Sequence, residues 1–281
     1  FYLFVEGGRF HYEGFRFGSF MFGNIACQVL VYYMTAFLLI PLGYGHLRLR
    51  RWARTLALTL LWSWVVVGAP LAAMFFLMAV SAKALPPVVG VLLGLALAAS
   101  YLVLPWLLIR FYGSRRVRAA FDRDPRTYWT ERTPLPILVL CTLYAFYGLA
   151  LHVPLLFNGL FPLFGAWRTG MSGIALWDAA LAGLGVLAWG TFMRQRWAWW
   201  GGLAYFGLLT ATSVSTLVQS SYAEILAVLE FPARELEFLD GAPLEGAHLA
   251  VPVALPLLLT LGAILVARGC FGRARPNSSS A

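Results

Sequence analysis

The sequence predicts an all-α fold, a polytopic helical transmembrane bundle with seven spans. Three observations carry this prediction. The 281 residues are 60% hydrophobic and only 12% charged, the apolar residues fall in seven continuous blocks, and the basic residues sort into alternate connections between those blocks. A soluble domain carries roughly 25% charged residues, so this chain is too poor in charge to cover a water-facing exterior.

Crossing about 30 Å of hydrocarbon takes roughly 20 helical residues. Blocks of that length lie at Phe20–Tyr44, Leu56–Val80, Val88–Ile109, Leu135–Leu156, Ile174–Phe192, Trp199–Val218 and Leu249–Ala267. A transmembrane barrel would show alternating segments of about 10 residues instead. The expected organisation is an external segment at 1–19 and a seven-span domain at 20–268, with an external acidic segment at 219–248 and a cytoplasmic tail at 269–281. An eighth helix ahead of Phe1 is compatible with the same pattern.

Twenty of the 21 basic residues are arginine, Lys83 being the exception. Sixteen of them fall in the connections after the first, third, fifth and seventh blocks, against five elsewhere. The positive-inside bias places those connections and the C-terminus in the cytoplasm of a cell-membrane protein. Asp122, Asp124 and Glu131 lie on the basic side, and eight acids lie opposite. The net charge of +9 is therefore a topology signal whose partner is the lipid bilayer, and nucleic acid is not implied. The segment Gln219–His248 holds six acids and is expected to begin with a short surface helix around Ile225.

Pro70, Pro105, Pro154, Pro252 and Pro256 fall in or at the ends of the blocks, where each removes a backbone donor and favours a kink. Gly90, Gly94 and Ala98 form a ridge suited to close helix packing. Cys27, Cys141 and Cys270 show neither a CxxC nor a metal-ligand spacing, so no metal is expected, and no motif names a cofactor.

Ionisable residues in hydrocarbon are costly and are functional candidates. His152 and Asp178 lie inside blocks and His248 borders the last. All three belong to the outer half, where a shared polar site could relay protons or hold a ligand. A solute path would be lined by His152, Asp178 and the run Thr210, Thr212, Ser213, Ser215.

Gly170-Met171-Ser172-Gly173 opens the fifth block and Gly246-Ala247-His248 opens the seventh. The first resembles the GxSG of rhomboid intramembrane proteases, and the second resembles the place where their general-base histidine sits. The resemblance covers a few residues in each of two helices. It implies Ser172 as nucleophile and His248 as base in peptide-bond hydrolysis. Val251 and Leu255 stand where rhomboids carry glycines. The last block has no lysine for a retinal Schiff base, and neither a DRY-like nor an NPxxY-like run marks a G-protein-coupled receptor.

With little polar lining and 11 Trp, 12 Tyr and 21 Phe, the first expectation is a non-catalytic scaffold or accessory subunit partnered by other membrane proteins. A transporter or channel for a small or lipidic substrate is the second, and a rhomboid-like serine protease the third.

Overall fold

A computed structural model describes residues 20–81, 87–124, 126, 128–221, 224, 225, 227 and 246–272. Segment 1–19, most of the acidic segment and the tail beyond 272 lie outside the described residues; of the expected surface helix, Glu224, Ile225 and Ala227 are described and helical, with Ile225 buried against Leu217 and Ala250. Among the described residues are seven helices long and apolar enough to cross a membrane, as in a multi-pass membrane protein.

The chain runs through α1 (Phe20–Leu47), α2 (Arg51–Ser81) and α3 (Pro87–Ala98), which continues through a π turn (Ala99–Val103) into α4 (Leu104–Gly113). Two short helices follow, α5 (Arg115–Phe121) and α6 (Trp129–Arg132), then α7 (Leu135–Ala150) and α8 (Val153–Leu156). An antiparallel hairpin, β1 (Phe161–Leu163) and β2 (Ala166–Arg168), precedes α9 (Gly170–Phe192) and α10 (Arg196–Gln219). The last helix, α11 (Gly246–Val266), ends in a 3₁₀ turn (Ala267–Cys270). Several helices start before their apolar blocks do: α2 at Arg51 rather than Leu56, α9 at Gly170 rather than Ile174, α10 at Arg196 rather than Trp199. Apolarity marks only the stretch suited to lipid, whereas hydrogen bonding carries each helix on into its polar end.

Helices α2, α7, α9, α10 and α11 form the core, with α10 lying along α11 and α7 packed on α2 and α9. Helix α1 and the α3–α4 unit flank α2. At the centre the Tyr144 and Phe206 rings stack with centroids 5.4 Å apart, and Tyr147 adds its ring at 5.1 Å. Gly202 makes room for this, since a Cβ there would lie 2.8 Å from the Tyr144 hydroxyl. Among apolar helices in lipid, such packing and interhelical hydrogen bonds supply the cohesion. Thr260 donates to the Pro256 carbonyl at 2.8 Å, so the Tyr147 hydroxyl donates to Thr260 Oγ1, also at 2.8 Å. Trp199 Nε1 donates to the Ile264 carbonyl at 2.9 Å.

The ridge read in the third block faces α2, where a Cβ on Gly94 would meet the Phe76 ring at 2.7 Å. One helical stage further, Tyr101 stacks on Trp64 at 5.1 Å.

The connections after α1, α4, α9 and α11 meet at one end, hereafter the basic end. The α1–α2 and α9–α10 turns share one device. Leu49 and Arg194 take positive φ of 47° and 56°, and the next residue bonds five positions back, Arg50 N to Gly45 O and Gln195 N to Gly190 O. This is the Schellman geometry, which usually employs glycine. Arg194 holds it by donating to the Arg132 carbonyl at 2.8 Å, while its own carbonyl accepts Gly272 N at 2.8 Å. One left-handed arginine thus ties together three basic segments.

Candidate functional site

The hairpin end holds the candidates read from sequence. Phe164 and Gly165 both take positive φ, 43° and 93°, which makes a two-residue turn of the primed kind that matches strand twist. The hairpin is docked by hydroxyls of α10 at four-residue spacing. Thr212 Oγ1 donates to the Pro162 carbonyl at 2.7 Å and accepts Phe164 N at 3.2 Å. Thr216 Oγ1 accepts Gly165 N at 3.0 Å, and Ser220 Oγ accepts Trp167 Nε1 at 2.8 Å. From the other side, Trp177 of α9 donates to the Leu160 carbonyl at 2.9 Å. Of the polar run expected to line a path, Thr210, Thr212 and Ser215 donate to backbone carbonyls.

The glycines of Gly170-Met171-Ser172-Gly173 have structural roles. Gly170 has φ +63° and bonds Asn158 O at 2.8 Å. A Cβ on Gly173 would stand 1.8 Å from the Gly159 carbonyl oxygen, so no other residue lets α9 approach that loop. Ser172 between them is exposed and donates to the Thr169 carbonyl at 3.0 Å. The backbone of His248 lies in the first turn of α11, and its side chain falls outside the described residues. Helix α9 packs on α7 and α10, whereas α11 packs on α10, α2 and α7.

His152 caps α8 and is exposed; its Nδ1–H donates to the Gly148 carbonyl, which leaves Nε2 facing outward. Asp178 is also exposed, on the outer face of α9 with Ala175, Ala179 and Ala182. Among the described residues its carboxylate makes no hydrogen bond or ion pair, and none joins it to His152. Nor do the described residues hold a group of three His, Cys, Asp or Glu able to take a metal ion.

The basic end carries an arrangement that sequence reasoning missed. Asp124, with its side chain 3% exposed, accepts Arg50 Nη1 at 3.3 Å, the Arg126 amide at 3.2 Å and the Tyr128 hydroxyl at 3.0 Å. Burial alone would raise this carboxyl, but those three donors outweigh it and hold it below its ordinary range. Beside it, a cavity of about 440 Å³ opens between the start of α2, the end of α5 and α6. Arg51, Arg54 and Arg118 face it with Asp122, Thr130 and Glu131, over a floor that includes Leu58 and Phe121. The available signal was that Asp122, Asp124 and Glu131 are the three acids on a side with sixteen cations. Acids placed there against the charge bias have a structural or binding role.

No protein-family model matches the chain, and no curated protein or solved structure matches it either.

Proposed function

We propose that the protein is a non-catalytic scaffold or accessory subunit of a larger membrane assembly, with its basic end toward the cytoplasm and the outer face of α9 docked on a partner helix. The observation that carries this is Asp178. It lies about 12 Å along a helix of about 34 Å, at about 1.5 Å per residue, exposed and unpaired among the described residues. At a helix centre an acid costs about 2.5–3.5 kcal/mol on insertion scales, and Asp178, about 5 Å short of the α9 midpoint, bears part of that cost; such residues are almost always paired or turned inward. A partner helix bearing a hydrogen-bond donor or cation at matching depth would remove that cost. Ala175, Ala179 and Ala182 leave the surface shallow enough for the two backbones to approach.

Purification from native membranes in mild detergent tests this. The expected result is a stoichiometric complex with at least one further membrane protein, dissociated by Asp178→Arg and retained with Asp178→Asn. A wild-type chain that elutes alone, at the same size as Asp178→Arg, would overturn the proposal.

A further inference from the structure

The cavity at the basic end is built unlike the rest of the molecule. Its walls are polar and its polar groups are incompletely paired. Arg54 Nε is engaged by the Tyr112 carbonyl at 2.9 Å, and Arg51 Nη2 by the Asp122 carbonyl. Arg51 Nε, Thr130 Oγ1 and Glu131 Oε1 are buried with no hydrogen-bond partner among the described residues. Asp122 stands between two guanidinium groups, its carboxylate oxygens 3.9 Å from Arg51 Nε and 3.9 Å from Arg118 Nε. These are ion pairs too long to be hydrogen bonds.

Arg51, Thr130 and Glu131, which carry these orphan atoms, all line the cavity, and buried polar groups are almost always bonded, so a side-chain shift toward an occupant would satisfy them. The donors and the acceptor specify its chemistry. Three guanidinium groups and a hydroxyl converge against two carboxylates, which leaves one positive charge in excess and planar N–H forks suited to phosphate oxygens. Glu131 offers the opposite function, a carboxylate oxygen in need of a donor and poorly placed beside a bare anion. The lining is graded: the Arg118 and Asp122 side chains are 69% and 55% exposed, while Thr130, Leu58 and Phe121 are buried. A ligand can therefore enter past the rim and bury its polar end.

We propose that this cavity binds a phosphate group with an adjacent primary amine, the chemistry of a phosphatidylethanolamine headgroup or of free phosphoethanolamine. Arg51, Arg54 and Arg118 take the phosphate oxygens, and Glu131 accepts the ammonium N–H. The cavity flanks the first turns of α2, at the level where a basic pocket between helices meets headgroups. This inference is independent of the assembly proposed above, since it concerns the opposite end of the molecule.

The test uses the full chain, delipidated in detergent, with native mass spectrometry and thermal unfolding read against added ligand. Phosphatidylethanolamine should bind one copy per chain at least tenfold more tightly than phosphatidylcholine, whose trimethylammonium has no N–H. Arg118→Ala, at an exposed position that leaves folding intact, should weaken binding at least tenfold. Glu131→Gln should reduce the preference for phosphatidylethanolamine over phosphatidylcholine at least threefold. If O-phosphoethanolamine alone binds and the lipid does not, the phosphate–amine site stands and its source is soluble; binding of the lipid alone assigns the membrane. Equal binding of the ethanolamine and choline lipids, or wild-type affinity in Arg118→Ala, would overturn the proposal.

Discussion

Thr216 Oγ1 accepts the Gly165 amide at 3.0 Å while donating its own proton to the Thr212 carbonyl at 2.8 Å. One hydroxyl thus serves both the helix that carries it and a turn 51 residues away. With Thr212 and Ser220 it forms a column along α10 that supplies the hairpin with partners otherwise provided by water. Thr216→Val keeps the shape and removes the bond. It should destabilise the protein by about 1–3 kcal/mol, the cost of leaving an enclosed amide unpaired, and Thr216→Ser should restore most of the loss. Thermal unfolding in detergent checks both variants.

Gly173→Ala should be more damaging than its single methyl suggests. The new Cβ would lie 1.8 Å from the Gly159 carbonyl oxygen and 2.7 Å from that of Arg168, both backbone atoms with little freedom to yield. Overpacking typically costs about 1–3 kcal/mol, and a clash with backbone on two sides belongs at the top of that range. Comparison with Gly185→Ala, where a Cβ meets nothing within 4 Å, controls for helix propensity. Gly185→Ala should be neutral or stabilising.

The lowered Asp124 carboxyl predicts acid sensitivity at the basic end. A group whose folded pKa lies below its unfolded value of 3.8 binds fewer protons when folded. Its contribution is fully present above that value and is lost as pH falls through the folded pKa. Unfolding midpoints measured from pH 6 down to about pH 2 should fall more steeply in wild type than in Asp124→Asn. The variant should already be less stable at pH 6, because Arg50 loses its carboxylate partner.

Ser172 is a further test of a non-catalytic role. Its hydroxyl is bonded to the Thr169 carbonyl and its flanking glycines serve the α9 junction. Ser172→Ala should change stability by less than about 1 kcal/mol, the usual size of one exposed hydrogen bond. A serine-directed fluorophosphonate should label neither wild type nor variant. Labelling of wild type that disappears in Ser172→Ala would reinstate the protease reading.

The helical bundle was legible because a span needs little beyond an uninterrupted apolar run; the candidate span Leu135–Leu156 has the bounds read from sequence, although its helix breaks at Leu151–His152 between α7 and α8. The hairpin was not legible. Its turn is Phe164-Gly165 rather than the Asn-Gly or Asp-Gly that advertises a primed turn, and each strand has three residues. Its docking hydroxyls sit in α10, where serine and threonine read equally well as ordinary contacts between membrane helices. The GxSG fragment shows the converse hazard, since Gly170 and Gly173 are explained by backbone geometry alone. The cavity escaped because Arg51 and Glu131 are far apart in sequence and only the fold brings them together. Asp178 was legible as a costly residue, but that it points away from the core needed the structure.

The π turn at Ala99–Val103 has a consequence for that cavity. A π turn holds one residue more than the α-helical count, so every residue after it is rotated back by about 100° and set back by about 1.5 Å relative to an uninterrupted helix. That phase offset lets one helix stack Tyr101 on Trp64 in mid-span and also aim the Tyr112 carbonyl at Arg54 Nε nine residues after the turn. The aim of a cavity arginine is therefore metered from the middle of the bundle. Deleting one residue from Ala99–Val103 would let the π turn close to an α turn and keep the carbonyl on target, whereas deleting one from the α-helical stretch Leu104–Phe111, which stores no spare residue, would swing the carbonyl off and release the guanidinium with no change to the cavity itself.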